Sequence, residues 1–242
     1  MGEADRNGGR RFAVEPECVA GIPGWRDSSP SAEVRFVGRS ADRGRGATLP
    51  AAWVGANRRA ARMRQVHGAT VLAAHAGSCG EGDALETTEA GLVLVVVTAD
   101  CVPILLAGSG RVAAVHAGWR GFVGGIISAA LAGFDDPGRV VAWIGPAIGP
   151  CCYEVGDEVA DAVVARSSEA VRSPGPRGRP HLDLQLAAAA ELARGGVAQV
   201  RTLAACTACH PGTLESYRRE GKAAGRNLSL IWRRDGESDQ EV

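Results

Sequence analysis

A dense series of short apolar runs in the middle of the chain constrains the fold more than any other feature. Leu92–Val97, Ile104–Ala107 and Arg111–Val115 are four to six residues long and consist largely of valine, leucine and alanine. Runs of this length and composition are typical of strands that are buried inside a sheet. Three further runs of the same kind follow: Val140–Ile144, Val197–Leu203 and Leu228–Trp232.

Helical patterns alternate with these strands. Apolar residues recur at helical spacing in Gly121–Leu131, Glu154–Arg166 and Leu182–Arg194. Interleaved strands and helices, with a hairpin among the strands, predict an α/β fold, with α+β as the alternative, built on one mixed sheet flanked by helices.

Length and composition are consistent with one domain. The chain has 242 residues, of which 45% are hydrophobic, enough for one sizeable core. We expect that domain to span residues 12–233, with polar, disordered tails at 1–11 and 234–242. The Pro-, Gly- and Arg-rich segment Ser173–Pro180 is predicted to be an exposed loop.

Charge and hydropathy argue against two classes of partner. Lysine plus arginine number 27 and aspartate plus glutamate also number 27, so the chain lacks the basic excess that nucleic-acid binders use. The most apolar stretch, Leu92–Ala107, is interrupted by Asp100 and Pro103 and is shorter than the ~20 residues that span a bilayer. No apolar run of the kind found in a secretory signal lies near the N-terminus, which favours a cytoplasmic location.

Seven cysteines are difficult to explain as a disulfide framework. Their number is odd, and a reducing compartment would keep them as thiols, so metal binding or nucleophilic chemistry is the better expectation. His67, Cys101 and His116 stand out because each lies in a segment that places a metal-type ligand near a turn. A lone cysteine or histidine is more often an ordinary packed residue, so the relative placement of the three decides their role.

A predicted hairpin relates two of these residues. Gly108-Ser109 suits a two-residue type II′ turn, in which glycine takes the position with positive φ. With that turn, Cys101 lies directly opposite His116, with Cβ atoms about 4.5–5.5 Å apart. Such a pair can bind one zinc ion, since Zn–S is about 2.3 Å and Zn–N about 2.0–2.1 Å. A turn at Ser109-Gly110 would remove this opposition.

The other cysteines carry weaker patterns. Cys206-Thr-Ala-Cys209-His210 matches the C-x-x-C-H string of haem attachment and the C-x-x-C of redox proteins, but neither an export signal nor a thioredoxin-like context accompanies it. Adjacent Cys151 and Cys152 are predicted to be packing residues after the turn that begins at Gly145.

The chain has too few potential copper ligands for a multicopper oxidase. The chain has five histidines and two methionines, too few for the histidine-rich cluster of a multicopper oxidase. One zinc site with Cys/His/His ligands and an open position fits this supply better.

An ordered set of short motifs, spread from about residue 30 to residue 233, resembles the laccase-domain (YfiH-like) family. The motifs are Gln65-Val-His67-Gly68, Gly82-Asp83-Ala84-Leu85, Ala99-Asp100-Cys101-Val-Pro103, His116-Ala-Gly-Trp-Arg-Gly121, Gly145-Pro-Ala-Ile-Gly149, Tyr153-Glu-Val-Gly156, Cys206-Thr207 and Ser216-Tyr-Arg-Arg-Glu-Gly221. Each motif alone is weak evidence for the family, but the complete set in this order is highly specific to it.

The resemblance implies a single α/β domain that holds zinc through His, Cys and His, at the positions of His67, Cys101 and His116. Members of the family are named polyphenol oxidase or laccase, peptidoglycan editing factor, and purine nucleoside phosphorylase with adenosine deaminase activity. The implied function is a zinc-dependent enzyme that cleaves adenosine, inosine, guanosine or methylthioadenosine with inorganic phosphate and deaminates adenosine. Copper is the less favoured metal.

Six further residues, within or beside the motifs, are candidates for handling substrate or protons. Arginine offers a bidentate fork to phosphate, and a carboxylate can orient a ligand histidine, transfer a proton or cap a turn. The candidates are Arg120, Asp83 and Asp100 as catalytic residues and Arg64, Gln65 and Arg218 as substrate-binding residues.

The chain departs from the family pattern in two places. Leu214-Glu215 replaces an aromatic pair before Ser216, and Glu220 replaces an aspartate, so we expect a different substrate pocket around the same metal site. The H-x-E and P-C-x-x-C signature of cytidine deaminases is absent, so any deamination uses another framework.

Other functions remain open at this point. A cysteine hydrolase or amidase that edits peptidoglycan precursors would use Cys101 as the nucleophile and His116 as its base. An interaction module with a structural zinc would need a fourth protein ligand. A copper-dependent polyphenol oxidase is the weaker alternative.

Overall fold

A computed structural model of the chain describes residues 10–11, 15–40 and 49–234. The strands are β1 (Arg10–Arg11), β2 (Glu17–Val19), β3 (Ile22–Ser28), β4 (Ala32–Val37), β5 (Ala60–Arg64), β6 (Val71–Ala73), β7 (Gly77–Glu81), β8 (Ala84–Thr87), β9 (Val93–Thr98), β10 (Val102–Gly108), β11 (Arg111–Ala117), β12 (Val141–Ile144), β13 (Arg172–Pro174), β14 (Pro180–Leu182), β15 (Gln199–Thr202) and β16 (Asn227–Arg233). The α-helices are α1 (Ala51–Val54), α2 (Trp119–Val123), α3 (Ile126–Leu131), α4 (Asp157–Arg166), α5 (Leu184–Arg194) and α6 (Tyr217–Glu220). Short 3-10 helices occur at Pro137–Arg139, Glu169–Val171 and Gly221–Ala223.

These strands form two mixed sheets of seven strands each and a separate ribbon of β13 and β14. The order is β1-β15-β12-β10-β11-β8-β6 in the first sheet and β2-β3-β4-β16-β9-β5-β7 in the second. The predicted mixed α/β character is confirmed, and all six predicted strands are present with ends within two residues of those expected. The expectation of one sheet is wrong, because the strands divide between two.

Alternating side chains explain how the two sheets pack. Along β10, Leu105 and Ala107 lie between the sheets with Leu94 of β9, whereas Ile104 and Leu106 belong to the core beneath α3, α4 and α5. Both faces of this strand are buried, so its sequence is an uninterrupted apolar run. Such a run indicates burial but not whether a helix or a second sheet covers each face.

The β10–β11 hairpin differs in register from our prediction. Its turn is Ser109-Gly110, with φ of 49° and 67°, as in a type I′ turn. Pro103 therefore pairs with His116, and Cys101 lies just before β10 begins. Both turn types suit a two-residue hairpin, and the sequence Gly-Ser-Gly allows either.

The predicted helices are present with shorter bounds. The helix expected over Gly121–Leu131 is divided into α2 and α3 at Gly124 and Gly125, where Gly125 has a φ of 86°. The helix expected from Leu182 starts only at Leu184, because the Asp183 side chain caps it by accepting a hydrogen bond from the amide of Leu186 at 2.9 Å.

Residues at both predicted tails take part in the fold. Arg10–Arg11 pair in parallel with β15, and Arg234 forms an ion pair with Glu33 at 2.6 Å. The rest of the predicted tails, residues 1–9 and 235–242, lies outside the described residues. Of the predicted loop Ser173–Pro180, residues 175–179 form the turn between β13 and β14. The ends of the prediction are wrong, because Ser173 and Pro174 belong to β13 and the buried Pro180 belongs to β14. Among the helices described, none is long and apolar enough to cross a membrane.

Gly145 provides a test of the packing between the sheets. A Cβ atom there would lie 2.2 Å from Cε1 of Phe36 and 2.8 Å from Cγ of Pro103, and Phe36 is itself buried. We expect Gly145→Ala to lower the free energy of unfolding by about 1–3 kcal/mol, measured by urea denaturation. Gly212→Ala is the control because a Cβ there meets nothing within 4 Å. Equal stability of the two variants would contradict this packing.

Candidate active site

Connections between the two sheets bring the three predicted ligands together. His67 lies in the connection from β5 of the second sheet to β6 of the first, and Cys101 lies in the connection from β9 to β10. His116 is near the end of β11, beside β10. One ligand atom from each of the three lies within 4.8 Å of the others. The predicted convergence of Cys101 and His116 is present, although the predicted register is not.

The dimensions of this trio fit a tetrahedral metal ion. The Sγ atom of Cys101 is 3.8 Å from Nε2 of His67. Two ligands of one zinc ion, with Zn–S and Zn–N near 2.3 and 2.1 Å, lie about 3.5 Å apart. A Cβ at Gly118 would be 2.8 Å from Cδ2 of His67 and 3.1 Å from Sγ of Cys101, so glycine leaves room for both ligands.

A buried carboxylate, that of Asp83, holds two of the ligands in place. It accepts a hydrogen bond from Nδ1 of His116 at 2.8 Å, which leaves Nε2 of that ring for the site. It also accepts hydrogen bonds from the backbone amides of His67 at 2.9 Å, Gly68 at 2.6 Å and Val66 at 3.3 Å. Asp83 thus fixes a turn and orients His116, a candidate ligand, while its predicted catalytic role stays a prediction.

The environment of Asp83 keeps it ionised. Burial alone would raise the pKa of its carboxyl group, but the hydrogen bonds from His116 and from the Gly68 and His67 amides outweigh burial and lower the pKa. An ionised carboxylate is the form that accepts every one of these hydrogen bonds.

Cys101 and His116 influence each other's protonation. Burial alone would raise the pKa of the Cys101 thiol, but hydrogen bonds with His116 and His67 lower it to about 7. Burial alone would lower the pKa of His116, but its hydrogen bonds with Asp83 and Cys101 raise it to about 9. The protein therefore favours the thiolate form of Cys101, which is the form that binds metals.

Asp100 joins the trio to a distant part of the chain. Its Oδ1 atom accepts a hydrogen bond from the Thr207 hydroxyl at 2.6 Å, and Oδ2 accepts one from the backbone amide of Arg218 at 2.6 Å. Asp100 has a φ of 98°, a conformation that costs on the order of 1–3 kcal/mol for a residue other than glycine. These contacts stabilise that turn, so the structural role predicted for Asp100 has direct support.

A cavity of about 520 Å³ opens beside the three ligands. It is lined by the apolar residues Val97, Ala99 and Ile148 and by the tyrosines Tyr153 and Tyr217. A volume in this range is typical of sites that bind small organic molecules. Burial and, to a smaller extent, the nearby Cys101 raise the pKa of the Tyr153 hydroxyl to about 12, so this hydroxyl remains a hydrogen-bond donor at neutral pH.

Polar side chains at the cavity are held by the backbone. The Gln65 amide donates to the carbonyl oxygen of Val97 at 2.7 Å and accepts from its amide at 2.9 Å. Arg218 donates to the carbonyl oxygens of Cys152 and Glu154, each at 3.0 Å. Arg226 donates to the carbonyl oxygen of Gly225 at 2.8 Å. Each guanidinium has five N–H donors, so these contacts leave others for a ligand.

Two predicted arginines do not line this cavity. Arg64 is exposed and forms an ion pair with Glu81 at 2.8 Å. Arg120 is exposed and stacks on the ring of Trp119, with its guanidinium carbon 4.4 Å from the ring centre. Neither lines the cavity, whereas Gln65, Asp100 and Arg218 do.

Three cavity residues were missed as functional candidates from the sequence. Tyr153 and Tyr217 lie inside motifs that carried the family resemblance, so those motifs were the available signal. Arg226 lies in no such motif, and with so many arginines in the chain nothing in the sequence distinguishes it.

Comparison with known proteins gives one consistent set of relatives. A family model described as "Multi-copper polyphenol oxidoreductase laccase" matches residues 45–234. A Pseudomonas aeruginosa protein named purine nucleoside phosphorylase is 41% identical over 180 residues, covering 72% of this chain and 74% of that protein. The Escherichia coli protein named purine nucleoside phosphorylase YfiH is 40% identical over 177 residues, covering 70% of this chain and 72% of that protein.

Solved structures show the same fold. YlmD from Geobacillus stearothermophilus superposes with a TM-score of 0.78 at 28% identity, covering 92% of this chain and 99% of that one. A Neisseria meningitidis protein of family DUF152 gives a TM-score of 0.76 at 28% identity, covering 87% of this chain and 99% of that one.

Asp83→Asn tests whether the buried carboxylate supports a metal site. An asparagine amide cannot accept from four donors as a carboxylate does, so we expect zinc affinity to fall by about 10–100-fold, measured by competition with a chromophoric chelator. Asp136→Asn is the control, because Asp136 caps the 3-10 helix at Pro137–Arg139 and asparagine caps equally well. Unchanged zinc affinity in folded Asp83→Asn would rule out this role for the carboxylate.

Proposed function

The chain belongs to the laccase-like family described as multi-copper polyphenol oxidoreductase laccase, and we propose that it is a zinc-dependent purine nucleoside phosphorylase. One observation supports this above all: the His67, Cys101 and His116 ligand atoms lie within 4.8 Å of one another on the wall of a cavity that also contains arginines and tyrosines. Relatives about 40% identical carry the name purine nucleoside phosphorylase.

The cavity has the features that a nucleoside requires. Tyr217 is 54% exposed at its edge, a position from which its ring can stack on a purine. The Tyr153 hydroxyl and the fixed Gln65 amide lie in the same cavity as polar groups among apolar neighbours. A few placed polar groups in an apolar cavity are typical of sites that orient one small molecule.

Arg218 and Arg226 are the cations for phosphate in this proposal. Both line the cavity and both are held in place by backbone carbonyl oxygens. Guanidinium groups bind phosphate oxygens in pairs, which positions phosphate as well as attracting it. Of the arginines that we predicted to bind phosphate, Arg218 lines the cavity, whereas Arg64 and Arg120 do not.

Phosphorolysis exchanges one bond for another. A phosphate oxygen forms a bond to C1′ of the ribose, the bond from C1′ to the purine nitrogen breaks, and the proton of hydrogen phosphate ends on the released base. Arg218 and Arg226 would hold phosphate beside the nucleoside, and the protonated Tyr153 hydroxyl can donate to an oxygen or nitrogen of the substrate. A zinc ion held by His67, Cys101 and His116 would supply Lewis-acid chemistry at an open coordination position.

Deamination of adenosine is the second reaction that we propose for this site. It replaces the purine 6-amino group by oxygen from water and releases ammonia, so it needs a site that can activate water. The His67, Cys101 and His116 trio has three protein ligands, and among the described residues the group contains no fourth, which matches the ligand count of catalytic rather than structural zinc.

A cysteine hydrolase is the second candidate function. The observation that favours it is the Cys101 thiol with a pKa lowered to about 7 beside His116, since this pair resembles a nucleophile and its base. A dyad needs one histidine, however, and does not account for His67 at 3.8 Å from the same sulfur. The ligand trio therefore favours metal binding over an amidase that edits peptidoglycan precursors.

Copper oxidation has less support than either. The other three histidines contact carbonyl oxygens elsewhere: His75 that of Ala76, His181 that of Pro150 and His210 that of Cys206. Within the described part of the chain, no histidine-rich cluster forms of the kind that multicopper chemistry needs.

We also propose that the protein works in the cytoplasm on free nucleosides. None of the seven cysteines, all of which lie in the described part of the chain, is joined in a disulfide, which is consistent with a reducing compartment. The balanced charge gives no basic surplus for binding nucleic acid.

Activity tests this proposal directly. Protein of known zinc content, incubated with inosine and phosphate, should produce hypoxanthine and ribose 1-phosphate, and adenosine should yield inosine and ammonia. We expect Cys101→Ala to lose the zinc ion of this site and at least about 100-fold of both activities while its circular dichroism is unchanged. Cys18→Ala is the control, because Cys18 is exposed in β2. Zinc-loaded wild-type protein that converts neither nucleoside would refute the proposal.

Phosphate recognition gives a separate prediction. Lysine keeps the charge of arginine but cannot donate two parallel hydrogen bonds as the guanidinium group does. We therefore expect Arg226→Lys to raise the KM for phosphate about tenfold, with a smaller effect on the KM for nucleoside. Steady-state rates at varied phosphate measure this. Arg64→Lys is the matched control, since Arg64 pairs with Glu81 outside the cavity. Equal KM values for phosphate in the two variants would show that Arg226 does not bind phosphate.

A further inference from the structure

Four cysteines from two separate loops form a second cluster. Cys151 and Cys152 come from one loop, Cys206 and Cys209 from another, and all four sulfur atoms lie within 4.8 Å of one another. Cys209 Sγ is 3.5 Å from Cys151 Sγ and 3.4 Å from Cys152 Sγ. We predicted Cys151 and Cys152 to be packing residues, but the first is exposed and the second half-buried, so packing does not explain them.

Backbone hydrogen bonds hold the two loops side by side. The Thr207 amide donates to the carbonyl oxygen of Ala147 at 2.9 Å, next to a β-bridge between Ala147 and Cys206. The Gly149 amide donates to Sγ of Cys206 at 3.2 Å. A Cβ at Gly149 would be 3.4 Å from Sγ of Cys151 and 3.2 Å from Cβ of Cys206, so glycine allows the sulfurs to approach.

We propose that these four thiols form a structural zinc site. Zn–S bonds of about 2.3 Å in a tetrahedron place sulfur atoms about 3.8 Å apart, close to the observed 3.4 and 3.5 Å. Four mutually close sulfurs suit one ion bound by all of them, whereas a disulfide joins only two at about 2.05 Å. The C-x-x-C spacing of Cys206 and Cys209 is typical of zinc sites, and soft thiolates select such metals.

This site would stabilise the wall of the cavity. The first loop carries Ile148 and Tyr153, both of which line the cavity, and the second carries Thr207, which binds Asp100. Arg218 donates to the carbonyl oxygen of Cys152. An ion shared by the two loops would fix these residues relative to one another without touching the substrate. This second zinc site follows from the positions of the four sulfur atoms alone, whatever reaction the cavity catalyses.

Metal content distinguishes the two sites. Wild-type protein purified under reducing conditions should contain about two zinc ions per chain by elemental analysis, because each ligand set binds one. The double variant Cys206→Ser, Cys209→Ser should retain about one, and Cys101→Ala should also retain about one. Cys18→Ser, altered at an exposed thiol, is the control and should retain about two. A Cys206→Ser, Cys209→Ser protein with as much zinc as the wild type, a Cys101→Ala protein without zinc, or a metal other than zinc would overturn the proposal.

Alkylation of the wild-type protein tests the same site without any substitution. Cys151 and Cys209 are exposed, as Cys18 is, so iodoacetamide can reach all three thiols. Bound to zinc, Cys151 and Cys209 should react at least about tenfold more slowly than the same thiols after a strong chelator removes the metal, whereas the rate at Cys18 should not change. Mass spectrometry of peptides measures these rates. Rates at Cys151 and Cys209 that chelation leaves unchanged, or a disulfide within the cluster, would contradict the proposal.

Discussion

The Asp83 carboxylate accepts hydrogen bonds from Nδ1 of His116 and from the backbone amides of residues 66–68, so a single buried charge fixes two of the three candidate metal ligands. A buried carboxylate is costly unless its oxygens are satisfied, and here the donors that satisfy it are those that shape the site. The same contacts leave Nε2 of His116 for the candidate metal site. The carboxylate that stabilises the turn at residues 66–68 therefore also orients a side chain of that site.

The two-sheet architecture determines where such a site can form. His67 and Cys101 lie in connections that pass from the second sheet to the first, and His116 lies at the end of a strand beside one of them. Strand cores that are buried on both faces keep these ends in fixed positions. The cavity opens at the same edge, where the backbone leaves the sheets and side chains are free to contact a ligand.

The strands and the three candidate ligands could be predicted from the sequence, but the division into two sheets and the register of the hairpin could not. Buried strands are read from apolar runs, which is why all six predicted strands are present, whereas a single chain does not reveal that a second sheet covers one face. The hairpin turn lies one residue later than we predicted, yet Cys101 and His116 still meet because Cys101 follows a sharp turn at Asp100. The contact between Cys151 and Cys209 joins loops far apart in sequence, and Arg226 lies in no motif, so neither has a local signal.

Crystals measured on both sides of the zinc absorption edge test most directly whether His67, Cys101 and His116 bind one metal ion. We expect an anomalous difference peak about 2.3 Å from Sγ of Cys101 and about 2.0–2.1 Å from a ring nitrogen of each histidine. Crystals of active protein in which these three side chains surround no anomalous scatterer would contradict this expectation.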